Sequence, residues 1–439
     1  MLTGATLIDG LGGAPIGNAV VVINGERITA VGTAANVQLP DGAETIDLNN
    51  RWIVPGLIDA HAHFMESGRP YTKPAQIDLT HLVPYEREVA WMKARVPVTL
   101  KAYLCAGVTT VLSVGGPVFE YEVREQAAGS RLAPEVIVAH GPIALVPSEL
   151  LFPLFDGDTP LRTLQDASGA AAEINLATAR GADLIKIAVM GGPLAAFEAD
   201  YSGVLAPVIA RARAQNLPVT AHVTQLEAAR TLIELGATSL QHLPLDAEVD
   251  AAFVSLARSK GTVIVPTLAV WPRSFVQPYS RDWQFTEIES RCGDSAVIQA
   301  WHTVEPLPPV DPQVGEFFRT GIAMAARNTR ILYDAGVPLA AGSDAGNFAM
   351  LHGASLHYEL QLMQNAGVDP LGLITVATFN AAILAGRETE LGSISPGKRA
   401  DLLVLRADPT TDIANLQQID SVMRRGRLIA ATELLPPPD

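Results

Sequence analysis

Cysteine is almost absent. Cys105 and Cys292 are the only two, enough for one disulfide at most and too few for a cystine-stapled scaffold or a Cys-ligated zinc module. Basic residues are also short, 31 against 46 acidic ones, for a formal charge of -15. Such a surface repels phosphates, which excludes a nucleic-acid or anionic-membrane partner and leaves small-molecule substrates. Nor is there a long unbroken apolar run. The most apolar stretch, Val136 to Phe155, is interrupted by His140, Pro142, Pro147, Ser148, Glu149 and Pro153, which excludes a membrane-spanning helix. No basic segment followed by an apolar one precedes the first strand-like residues. A cytoplasmic setting is therefore expected, although a trimmed secreted form would look the same.

What is present is a chain of 439 residues, 48% hydrophobic and 18% charged, able to bury a large core. Both ends alternate short β-branched runs with turns such as Asn24-Gly25 and Gly426-Arg427; residues 1–54 and 386–439 are expected to share one small β-sandwich. Between them, over 55–385, apolar runs alternate with Ala-rich helical windows, the rhythm of βα units around a parallel sheet. Eight strands are expected: 57–63, 108–114, 136–140, 184–189, 219–222, 239–243, 263–267 and 339–343. The fold class is therefore α/β, a (β/α)8 barrel with a satellite domain. Residues 271–312 look too irregular for a core element yet carry Trp271, Phe275, Tyr279, Trp283, Phe285 and Trp301. A lid over an apolar pocket is favoured, with a plain packing role close behind.

Barrel enzymes carry their reactive groups where strands end at the C-terminal face. Strand one ends in His61-Ala62-His63, strand four carries Lys186, strands five and six end at His222 and His242, and strand eight runs into Asp344. Positions i and i+2 share a strand face, so both imidazoles of the first pair point the same way. One histidine at a strand end is more often structural than a ligand. The coincidence of four with an aspartate, each at the same rim, points instead to a first-row divalent metal, zinc first. An ammonium facing such a metal would repel it. Lys186 therefore either lies outside the ligand sphere or has reacted with carbon dioxide to give an anionic carbamate, which its apolar Ile185 and Ile187 neighbours favour.

The run Val54-Pro55-Gly56-Leu57-Ile58-Asp59-Ala60-His61-Ala62-His63 resembles the opening signature of the amidohydrolase superfamily. So do Lys186 followed by Gly191-Gly192, Ala221-His222, His242, Gly342-Ser343-Asp344-Ala345-Gly346, and the closing Leu391 to Leu402 segment with its Ser395-Pro396-Gly397-Lys398. The order is right across the whole chain, and the branches most resembled are the imidazolonepropionase-related and Xaa-Pro-dipeptidase-like ones. The resemblance implies two divalent metal ions, His61, His63 and Asp344 on one, His222 and His242 on the other, and carboxylated Lys186 bridging them. It implies a bridging hydroxide as nucleophile, with Asp344 relaying its proton to the leaving group. His140, ending strand three, is a candidate oxyanion stabiliser and Tyr201 a candidate substrate contact; a structural hydrogen bond and simple packing are their ordinary alternatives. His352 and His357 are expected in structural or supporting roles.

Two departures bear on specificity. Gln241 stands where relatives usually have an acidic residue, and Gly141 to Pro147 lacks their glycine- and histidine-rich loop. With the aromatic insertion, this suggests a substrate bulkier and less polar than a plain dipeptide. The expected activity is hydrolysis of an amide bond in a peptide-like or N-acyl amino acid compound with a bulky apolar group; Arg273, Lys73 and Arg69 are candidates to receive a carboxylate, with solvated surface charge the favoured reading of each. A carbamate, ester, lactone or phosphotriester hydrolase with the same centre is the alternative, and a metal-free binding barrel the alternative of another class. Opening of an imidazolone ring is disfavoured, because that resemblance goes with one metal and no strand-four lysine. A homo-oligomer is the expected assembly.

Overall fold

A computed structural model describes residues 1–38, 42–74, 77–280, 282–305 and 307–436. From the N-terminal end come β1 (Leu2–Leu7), β2 (Ile16–Asn24), β3 (Arg27–Thr33), β4 (Ile46–Asp47) and β5 (Trp52–Pro55). The barrel strands are β6 (Leu57–Ala62), β7 (Val108–Ser113), β8 (Glu135–Ala144), the short β9 (Arg162–Thr163), β10 (Leu184–Ala188), β11 (Val219–His222), β12 (Ser239–Gln241) and β13 (Val263–Val265). The chain returns with β14 (Leu402–Leu405), β15 (Ile419–Arg424) and β16 (Arg427–Ala430). Both ends share one eight-stranded sheet in the order β16-β15-β14-β5-β1-β2-β3, with β4 beside β1. The tight β15–β16 link needs two left-handed residues, and Arg425 and Gly426 supply them at φ 48° and 74°.

The second sheet is the barrel, in the order β6-β7-β8-β10-β11-β12-β13 with the short β9 beside β8 and every neighbour parallel. Alternation sorts its side chains. Ile58, Ala60, Leu112, Ile137, Ala139, Leu184, Val263 and Val265 fill the interior, whereas Val111, Val136, Val138, Ile185 and Ile187 pack outward.

Closure is made by a segment without a regular ladder. Ala340 N–H donates to Ile264 O and Ala60 N–H to Ala341 O, both at 2.9 Å, and Asp344 N–H donates to His61 O at 2.8 Å. The expected eighth strand, 339–343, therefore does join strands seven and one, but by scattered bonds. The carboxylate of Asp59, which accepts the Ser343 amide, stands in for part of the ladder.

Helices cover the outside in turn: α1 (Tyr85–Cys105), α2 (Phe119–Ala128), α3 (Ala170–Ala179), α4 (Tyr201–Ala214), α5 (Leu226–Leu235) and α6 (Ala251–Lys260). The stretch expected to be irregular is largely helical instead, as α7 (Val270–Phe275), α8 (Glu287–Cys292) and α9 (Ser295–Thr303), before the long α10 (Pro312–Asp334). Helices of six to nine residues are too short for periodicity to announce, and their stability comes from caps and packing. Thr286 and Glu289 form a reciprocal capping box on α8, and Asp294 caps α9. Cys105 and Cys292 are joined, so a disulfide ties α8 to the end of α1. Such bonds persist in oxidising compartments, which bears against the cytoplasmic expectation. No helix among the described residues is long and apolar enough to cross a membrane.

Candidate metal centre

At the C-terminal rim the barrel brings six of the expected side chains together. His61 Nε2 lies 3.3 Å from His63 Nε2 and 3.2 Å from Asp344 Oδ1, and the His63 nitrogen is 3.6 Å from the same oxygen. Tetrahedral donors about 2.0–2.1 Å from a shared zinc ion would stand roughly 3.3–3.4 Å apart, so this triangle has the dimensions of a ligand set. His61, His242 and Asp344 also offer ligand atoms all within 4.8 Å of one another. The His222 and His242 ring centres are 4.4 Å apart, and those of His61 and His242 5.0 Å. Lys186, on β10 between outward Ile185 and Ile187, points inward, and its Nζ is buried without a hydrogen-bond partner.

The backbone is bent to achieve this. Gln241 already faces the interior, where its amide donates to Thr220 Oγ1 at 2.9 Å; strict alternation would turn His242 outward. A left-handed φ of 72° at His242 brings it to the same side, and Asp344 and Thr267 at the rim are left-handed too, at 58° and 49°. Non-glycine residues hold such angles only where their surroundings over-determine them.

Electrostatics prepares these groups to hold cations. Burial above all, then the Lys186 charge, pushes His63 and His222 down to about 3. His61 and His242 are lowered well below the usual histidine range, again mainly by burial. All four rings are therefore neutral with a lone pair to give. Two tautomers follow from their partners: His63 Nδ1 donates to Gly115 O at 2.9 Å, leaving Nε2 free. Thr267 Oγ1 spends its proton on Pro266 O and so accepts from His242 Nδ1 at 2.6 Å. Burial also drives Lys186 down and Asp344 up, both towards their uncharged forms. Four lone pairs, a carboxylate oxygen without a partner and an orphaned amine facing one point fit the divalent cations that the donor types imply.

The cavity above this cluster has a volume of about 770 Å³. One wall is aromatic, with Phe275 stacked on Phe318 at 3.4 Å between ring centres and Trp271 5.9 Å from Phe318; Leu151, Phe152, Leu161, Met190 and Leu194 line it as well. The insertion thus splits its duties. Trp271 and Phe275 line the cavity, whereas Phe285 and Trp301, with Tyr279 and Trp283, pack around Phe348.

Two expected site residues lie elsewhere. His140 alternates with inward Ile137 and Ala139, so its ring turns out to the helices, between Tyr121 O–H at 3.2 Å and the Glu173 carboxylate at 3.0 Å. Tyr201 opens α4 and packs against the outer core, and neither residue is part of the cavity wall. Arg69 pairs with Glu88, Lys73 with Asp78 and Arg273 with Glu289, and none of the three reaches the cavity. His352 bonds Tyr103 O–H and the Glu66 carbonyl, and His357 the Ala106 carbonyl. Supporting residues that the sequence reading passed over include Asp59, Thr267 and Glu120. The Glu120 carboxylate accepts the amides of Phe64 and Met65 just after His63. An acid inside the apolar Leu57–Ala60 run was a signal for Asp59; Glu120, on an amphipathic helix, had none.

The amidohydrolase family model matches residues 52–429. An ochratoxinase from Aspergillus niger is 25% identical over 443 residues, covering 95% of this chain and 84% of that protein. An imidazolonepropionase from Rhizorhabdus wittichii is 27% identical and covers 88% of each chain. Among solved structures, a Xaa-Pro dipeptidase with bound methionine in its active site superposes with a TM-score of 0.73 at 24% identity, covering 98% of this chain and 99% of that one.

Proposed function

We propose that this chain, which belongs to the amidohydrolase family, hydrolyses an amide bond beside a bulky apolar group and uses two divalent cations, zinc first among them. His61, His63 and Asp344 would hold one, His222 and His242 the other, with a carboxylated Lys186 between. That the chain is a hydrolase acting on carbon–nitrogen bonds follows from the family; the binuclear centre and the substrate are what we propose. The observation that carries it is the cluster of neutral imidazoles around the unpartnered Lys186 amine and Asp344 oxygen.

Bound cations polarise a carbonyl and make water nucleophilic near neutral pH. The chain's own residues supply the rest. Burial lowers the Lys186 amine to about 7, so that near neutral pH a substantial share is in the uncharged form that adds to carbon dioxide, losing one proton and giving a carbamate whose negative charge suits a dry, cationic site. Asp344, pushed up by burial, can take a proton from the attacking water and deliver it to the departing nitrogen. The carbonyl carbon keeps the oxygen of water, the C–N bond breaks, and the amine leaves protonated. Trp271, Phe275 and Phe318 would hold the apolar group against the centre and exclude bulk water.

The test is metal analysis of the purified protein together with turnover of amides bearing aromatic acyl groups. About two ions per chain and amide cleavage are expected. Fewer than about one ion would favour a binding barrel, and turnover of esters without amides would overturn the bond assignment.

A further inference from the structure

The wall of the cavity beyond the ion centre offers an anion no cationic partner among the described residues, only neutral donors such as the unpartnered Trp271 Nε1 and the side chains of Thr224, Gln225, Gln313 and Asn347. Among the described lining residues Lys186 is the only one with an ammonium or guanidinium group, and it belongs to the centre itself. The charged side chains left on the wall are acidic, Glu66 and Asp246, and burial drives Glu66 well up towards its neutral acid.

Backbone amides could have replaced a cation, but the chain has filled them with its own carboxylates. Glu198 accepts the N–H groups of Met190 and Gly191, both at 2.7 Å. Asp311 accepts those of Gln313 and Val314 at the start of α10, at 2.8 and 3.3 Å. Asp246 accepts the N–H of Leu226 at the start of α5, at 3.0 Å. Met190, Gly191, Gln313 and Val314 line the cavity, as does the Asp246 carboxylate itself, so at the first two of these places a substrate carboxylate finds the backbone donors already taken and at the third it meets an acceptor. What remains for it is largely apolar surface with a few neutral donors such as Trp271 Nε1, and without a counter-charge a buried carboxylate recovers little of the hydration it loses.

We propose that the substrate is an uncharged lipophilic amide with no carboxylate on either side of the scissile bond, and so not an N-acyl amino acid or a dipeptide. This rests on the amide-hydrolase reading above and narrows its substrate. The stacked Trp271, Phe275 and Phe318 take a flat apolar group. Half-exposed Phe317 and Val314 at the rim carry the same character outward to solvent.

Two twins decide it: N-naphthoyl-phenethylamine and N-naphthoyl-phenylalanine differ only by a carboxylate. Offered to the metal-loaded protein, the neutral twin is expected to show a kcat/KM at least about tenfold higher. Binding of both is measured alongside by calorimetry, with the same order expected. Equal or better use of the acid overturns the proposal. If neither twin is cleaved, the hydrolytic reading fails with this class of amide while the calorimetric order still decides the pocket. A neutral preference upholds the proposal, and parity or an acid preference overturns it.

Discussion

Ser343 Oγ donates to Asp59 Oδ2 at 2.6 Å while the Ser343 amide donates to Oδ1 at 2.9 Å. The buried pair links the first strand of the barrel to the segment carrying Asp344 across 284 positions, and Asp59 Oδ1 also accepts the His61 amide at 3.3 Å. One carboxyl therefore sets the mutual position of two ligand-bearing backbones. Replacement by Asn puts an amide N–H against donors, and metal affinity should fall about 10–100-fold. Competition with a chelator measures it; an unchanged affinity would remove Asp59 from this role.

If Lys186 carries the proposed bridging anion, Lys186→Ala should lose bound metal and activity together, at least about tenfold each. Short carboxylic acids in solution should restore part of both. Full activity in the variant would rule out any bridging role for Lys186.

His140 separates a structural from a catalytic assignment by magnitude. His140→Phe breaks its bonds to Tyr121 and Glu173, which should cost about 1–3 kcal/mol of stability by denaturant titration, while kcat/KM stays within about twofold. Loss of an oxyanion donor would instead cost about 10²–10³ in kcat, and a fall of that size would return His140 to the reaction.

Glu359 makes a pH prediction. Burial, only partly opposed by the backbone amides of Leu268 and Ala269, pushes its carboxyl from 4.5 up to about 8. A folded-state value raised in this way contributes stability that is fully present below the unfolded value and lost as pH rises through the folded one. Glu359→Gln should flatten the decline in stability between about pH 4.5 and about pH 8 by up to about 1.4 kcal/mol per pH unit. Thermal midpoints across that range, with chelator present in both proteins, test this; parallel curves would refute it.

Strand period and chain order were legible from composition and pattern alone. Residues such as Leu184, Lys186 and Val219 to His222 alternate locally, and local alternation needs no knowledge of distant partners. The same rule, carried through to Ile137 and Ala139, would have turned His140 outward; the expected strand stops at His140, whereas β8 runs on to Ala144, and that expected end masked its parity. Tertiary structure alone could turn His242 back inward through a left-handed residue, bring Asp59 to Ser343, and set Glu198 over the backbone donors of Met190 and Gly191 in the cavity wall. A periodic pattern reports which face a side chain takes. Which groups are already satisfied there, and so what charge a ligand can carry, depends on chain segments that meet only in the folded state.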